Sequence, residues 1–251
     1  MITTDNLVDG VKKDVLDERD FIKEIPDNID LTKTVNLLSD ISYNVRNQGS
    51  LNACTGFAAS SFFSILNSKL VGKWIPYSPF FTWYKAKEYW NEQDENVGVY
   101  PRDLMKSMKE FGVLPEAFTK MSSSNLIPKN EDLKWASKNK IKSYFRIPNE
   151  NIIKGIQHSI INERIPVLAS IMIFDKLWKN CNRTGILDFS DGSIHTGNHM
   201  VCIYGWDSDK NMFRVLNSHG YDFGNNGSFF MTPKFTKGYV NDVWTVGYDY
   251  F

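Results

Sequence analysis

Halfway along the chain the spacing of apolar residues changes period, and one layer of secondary structure cannot hold both halves. Ala58, Phe62, Ile65, Leu66 and Leu70 recur at helical spacing, as do Leu104, Met105, Met108 and Phe111. Ser78-Pro79 supplies a helix cap followed by a proline suited to a first helical turn, and Gly112 can end the later helix. A further helix is expected around Ile152, Ile153, Ile156 and Ile160, followed by the strand-like PVLASIMIF. Beyond it, HMVCIYGWD, NMFRVLN, GSFFMT and DVWTVGYDY are short β-prone runs separated by glycine, asparagine and aspartate. Helices first and an antiparallel sheet or barrel second predict an α+β molecule of two lobes with a cleft between them.

The chain has 251 residues, enough for one large domain or two packed lobes. The sequence suggests an N-terminal arm or short pro-like segment over residues 1–40 and a two-lobed domain over 41–251. Its helical lobe runs over about 41–145 and its β-rich lobe over about 146–251. Lysine plus arginine equal aspartate plus glutamate at 29 each, so no net field favours a nucleic acid or an anionic membrane. The N-terminal residues are charged throughout and lack the apolar stretch of a secretory signal, and the apolar run from Ile165 to Phe174 is too short for a bilayer. Cys54, Cys181 and Cys202 cannot all pair within one chain, which fits a reducing, cytoplasmic setting. Cys202 lies in an apolar run, as a small buried hydrophobe does.

Cys54 is different. In VRNQGSLNACTGFAAS, glycine, serine and asparagine make a turn, which puts Cys54 in the first turn of the next helix. A thiol there feels the positive end of the helix dipole and ionises more readily. Downstream, His199 opens one β-run and Asn217 closes the next, so adjacent strands can hold them side by side. A nucleophilic thiol needs an imidazole to take its proton and an amide oxygen to orient that imidazole. The Gln48 side chain and the Cys54 backbone N–H are candidate donors to an oxyanion. His158 is expected at a surface or boundary. His195 lacks companions at metal-ligand spacing, and neither a metal nor another cofactor is expected.

From about residue 20 to 235 these blocks together resemble the papain-like cysteine peptidases. The family's Q-G-S-x-x-x-C turn matches Gln48-Gly49-Ser50-Leu51-Asn52-Ala53-Cys54, and its glycine strip before a helix matches Gly98-Val99-Tyr100-Pro101 with Gly112 beyond. The histidine, apolar strand and N-S-x-G block matches His199–Gly205 and Asn217–Gly220. The resemblance implies a Cys54-His199-Asn217 triad with Gln48 in the oxyanion hole, a helical left lobe, a β-barrel-like right lobe, and an extended peptide or protein substrate across the cleft. It further implies backbone contacts to substrate from Gly98 and Val99. Tyr100, Pro101 and Asn198 would shape an apolar pocket for the side chain two residues before the cleaved bond.

Leu51 and Thr55 stand where many relatives carry cysteine and tryptophan, a feature similar to the disulfide-poor intracellular branch of bacteria and their viruses. His219 and Phe223 replace two tryptophans, the first of which shields the histidine–asparagine bond. A more exposed, less rigid pair and a weaker or narrower pH optimum are the expectation. The arm from Met1 to about Asp30 is expected to lie over the cleft or to be a tail or strap elsewhere. Two other functions use the same residues: a catalytically silent binding or virion-assembly protein, and a thiol amidase or transpeptidase sharing the acyl-thioester step.

Overall fold

The computed structural model describes residues 10–189 and 192–247. The first nine residues of the arm, and the last residues of the DVWTVGYDY run, lie outside the described residues.

The helical lobe is built around α1 (Cys54–Val71), which is buried on nearly every side through Phe57, Ala59, Phe62, Phe63, Ile65 and Leu66. Leu70, at the same spacing, sits exposed in the final turn. Beside α1 lies α2 (Pro79–Lys87), whose cap is the expected one, the Ser78 hydroxyl accepting from the Phe81 N–H at 3.4 Å. The two helices touch at Gly56, where a Cβ would stand 2.2 Å from the Pro79 carbonyl oxygen, so only glycine permits this approach. Helices α3 (Pro101–Glu110) and α4 (Asn130–Ala136) complete the lobe. In α4, Asp132 is buried and accepts from the Lys129 N–H at 2.7 Å.

The second lobe is a sheet. Strands β1 (Val35–Asn36), β2 (Tyr144–Arg146), β3 (Val167–Phe174), β4 (Ile186–Leu187), β5 (His195–Asp207), β6 (Met212–Leu216), β7 (Ser228–Met231) and β8 (Val240–Val246) make one sheet. Its order is β2-β8-β3-β5-β6-β7-β4, with β1 on β5. Every pairing is antiparallel except β4 with β7. The ends of this order do not pair, so the sheet is not closed, which fits a barrel-like antiparallel lobe. Trp206, Phe213, Val215 and Trp244 are buried in it. Three helices pack around this lobe: α5 (Ile152–Gln157), α6 (Asp175–Thr184) and α7 (Pro233–Tyr239). No disulfide joins the three cysteines, and among the described residues no helix is long and apolar enough to cross a membrane.

Candidate active site

Cys54 is the first residue of α1, as the turn before it predicts, and meets the sheet directly: the Met200 N–H on β5 points at its sulfur at 3.4 Å. His199 is the preceding residue of the same strand. His199 Nε2 lies 2.8 Å from Asn217 Oδ1, which accepts the ring N–H. The amide oxygen can only accept, so Nε2 carries the hydrogen and Nδ1 is left as the basic nitrogen. The same Asn217 oxygen takes the Ser218 N–H at 2.9 Å.

Gln48 joins this group through Ser218. Its backbone N–H donates to the Ser218 carbonyl at 2.9 Å, and its side-chain oxygen accepts from the Ser218 hydroxyl at 2.6 Å. Gln48 Nε2 gives one hydrogen to the Leu51 carbonyl at 2.8 Å, and a primary amide has a second to offer. Ser218 therefore fixes which way the Gln48 amide faces. The sequence carries no separate signal for that role beyond its place next to Asn217.

The expectation of an exposed histidine–asparagine pair is overturned: His199 is 5% exposed and Asn217 4%. A tryptophan does shield them, but it comes from α6. The Trp178 ring stands edge-on to His199 with centroids 5.5 Å apart, and also packs on His219 and Phe223. His219 covers the other side, stacked on His199 at 4.9 Å and 24°. Burial, followed by the nearby His219, pushes the His199 ring down to about 3 against the Asn217 hydrogen bond, and burial pushes His219 down to about 4. In this closed arrangement both imidazoles are neutral near pH 7.

The arm closes it. Gly10 lies so near Cys54 that a Cβ built on it would stand 2.5 Å from the Cys54 sulfur. Val11, fully buried, makes a parallel β-bridge with Val99, and the Lys12 N–H donates to the Val99 carbonyl at 3.1 Å. Gly98, Val99 and Pro101 are buried beneath or beside the arm, and Tyr100 is half-buried. Asn198 lies one residue before His199 and accepts from Asn241 Nδ2 at 3.2 Å. Further on, the arm bridges Arg146 at Ile22.

This two-lobed arrangement, with the thiol on a helix and the imidazole on a sheet, is the papain-like fold. Over 95% of both chains it superposes on xylellain, a cysteine protease from Xylella fastidiosa, with a TM-score of 0.82 at 20% identity. A cysteine protease of Carica candamarcensis matches with a TM-score of 0.65 at 17% identity, over 85% of this chain and 97% of that one. The proform of a ragweed pollen cysteine protease gives 0.65 at 19%, over 90% and 67%. In sequence, a peptidase C1-like protein of Acanthamoeba polyphaga mimivirus is 26% identical over 233 residues, 86% of this chain and 73% of that one. No family model matches the chain. The chain thus has the fold of these cysteine proteases and is similar in sequence to a peptidase C1-like protein.

Proposed function

We propose that this protein is an endopeptidase that cuts peptide bonds with Cys54 as nucleophile, His199 as base and acid, Asn217 as its orienting partner, and Gln48 as an oxyanion donor. The observation that carries this reading is the 2.8 Å bond from His199 Nε2 to Asn217, which leaves Nδ1 as the proton acceptor beside the thiol on α1. His199 takes the thiol proton and the sulfur attacks the carbonyl carbon, forming a C–S bond and an oxyanion that Gln48 Nε2–H and the Cys54 N–H can receive. As the C–N bond breaks, His199 returns the proton to the leaving amine. A water, deprotonated by His199, then releases the acyl group and the thiol regains its hydrogen. Val99 supports extended substrate binding, since its carbonyl already pairs with an extended backbone, that of the arm. The buried Val11 beside it supports an apolar side chain there.

In this reading the arm is a cover. A substrate carbonyl cannot reach Cys54 while Gly10 occupies its approach. The absence of disulfides supports a reducing compartment, cytoplasmic in a bacterium or an infected cell. The test is labelling with an epoxide inhibitor of thiol proteases, read by intact mass, on the full chain, on a form lacking residues 1–30, and on Cys54→Ala. One adduct that appears or accelerates when the arm is removed and is absent from Cys54→Ala is expected. No adduct on either form would leave the silent, binding-protein reading in its place.

A further inference from the structure

Past the nucleophile the arm is fastened to the body by a cluster of buried charges drawn from four elements. The Asp14 carboxylate is fully buried. It accepts from the Arg102 N–H in the first turn of α3 at 3.2 and 3.1 Å, and from Trp244 Nε1 on β8 at 3.0 Å. The Asp14 N–H donates to Asp242 Oδ2 at 3.2 Å, so a second buried carboxylate adjoins the first. Arg146 on β2 pairs with Asp242 and lies 3.4 Å from Asp20 and 3.8 Å from Asp14. Arg102 holds Asp20 with two hydrogen bonds of 2.7 Å and takes the Val15 carbonyl at 2.7 Å.

Three carboxylates therefore share two guanidiniums. The remaining charged groups near them do not correct the imbalance. On the arm, Asp17 and Arg19 pair with each other in solvent, and Lys13 acts on Asp242 only at a distance. On α3, Asp103 accepts from Trp90 Nε1 at 2.7 Å, and Tyr144 on β2 is neutral near pH 7.

We propose that this cluster is a proton-holding latch: Asp14 keeps the arm over Cys54 when its carboxyl carries a proton and weakens that hold when it does not, so the arm opens as pH rises through the neutral range. The inference rests on the reading of the arm as a cover and adds how the cover is regulated. Burial and the neighbouring Asp242 push Asp14 up to about 7, whereas in an opened arm the carboxyl returns to water and its ordinary value of 3.8. A carboxyl raised in the closed state contributes closure that is complete below its ordinary value and is lost as pH climbs through its closed-state value. Acid thus tightens this arm.

The experiment is hydrogen exchange of the arm amides at residues 11–23 in the full chain, across pH, corrected for the base catalysis of exchange itself. It reads opening without depending on turnover, while epoxide labelling of the arm-deleted form reads the peptidase assignment separately. In wild type, opening should rise about tenfold per pH unit between about pH 5 and 7 and then level off. Asp14→Asn, which keeps the shape and stays neutral, should remove the slope and exchange at about pH 8 as slowly as wild type does below about pH 4. Exchange in wild type that is flat across this range would overturn the latch without needing any variant. So would an Asp14→Asn slope equal to that of wild type.

Discussion

The pocket around His199 and the latch around Asp14 are both buried and polar, yet one contains no permanent charge and the other is crowded with them. Asn217, Trp178 and His219 surround the imidazole with dipoles and rings, and Phe223 packs on Trp178 and His219. Asp14, Asp20, Asp242, Arg102 and Arg146 meet within a few ångströms. The difference follows from what each has to do. In the proposed reaction the base must change charge, and in a neutral low-dielectric wall the thiolate would be the counter-charge its imidazolium needs, so the pair would form together. A fastening with one carboxylate too many can instead hold a proton, because an unmatched buried charge costs far more than a matched pair contributes.

The largest effect falls on the neutral pocket. Cys54→Ala should lower turnover of an arm-displaced form about a millionfold while leaving the fold intact, measured with a peptide substrate series. Residual turnover within a hundredfold of wild type would move the nucleophile elsewhere and dissolve the contrast. Next comes the latch. Arg146→Met leaves Asp242 and Asp20 short of a partner and should cost about 3–5 kcal/mol in urea unfolding. A loss below about 1 kcal/mol would mean that these carboxylates are already neutral. Gln48→Ala should sharpen the picture from the other side. Removing one oxyanion donor should cost about a hundred- to a thousandfold in kcat, with little change in unfolding because Gln48 is only partly buried.

What could be read from the sequence was local. The thiol at a helix start, the histidine on a strand, the asparagine just after the next one and the glutamine in the turn each carry a signal within a few residues, although β5 starts four residues before His199. The sheet that brings them together was legible in its alternating runs. Trp178 was not, because it sits in the polar stretch DKLWKNCNRT, and its ring reaches His199 from α6. Helix α7 was missed although Thr232-Pro233 repeats the cap-and-proline start of Ser78-Pro79, and the Thr232 hydroxyl accepts from the Phe235 N–H at 3.1 Å. The latch was invisible for a different reason: Asp14 and Asp242 are 228 residues apart, and no local pattern links charges at that range. Gly10 has the same difficulty, since its need to be glycine arises only from where Cys54 stands.

The smallest predicted effect tests both clusters at once, because their protons pull stability in opposite directions. His219 and His199 are held neutral by burial, so the unfolded chain, with ordinary histidines, binds protons more tightly. Their contribution is complete above the ordinary value of 6.5 and is lost as pH falls, through about 4 for His219 and about 3 for His199. Asp14, raised to about 7, has the opposite sign and adds stability as pH falls through that value. Below about pH 6 the two histidines should therefore steepen the acid loss by up to about 1.4 kcal/mol per pH unit each, partly offset by Asp14 down to its ordinary value. His219→Phe keeps a ring against His199 and Trp178 but cannot be protonated, so urea unfolding between about pH 6 and 4.5 should lose close to one proton from its slope. Asp14→Asn should change the slope by about the same amount in the other direction. If His219→Phe leaves the slope untouched, the ring is charged or hydrated in the native state. The neutral wall around His199 would then be less dry than its 5% exposure implies.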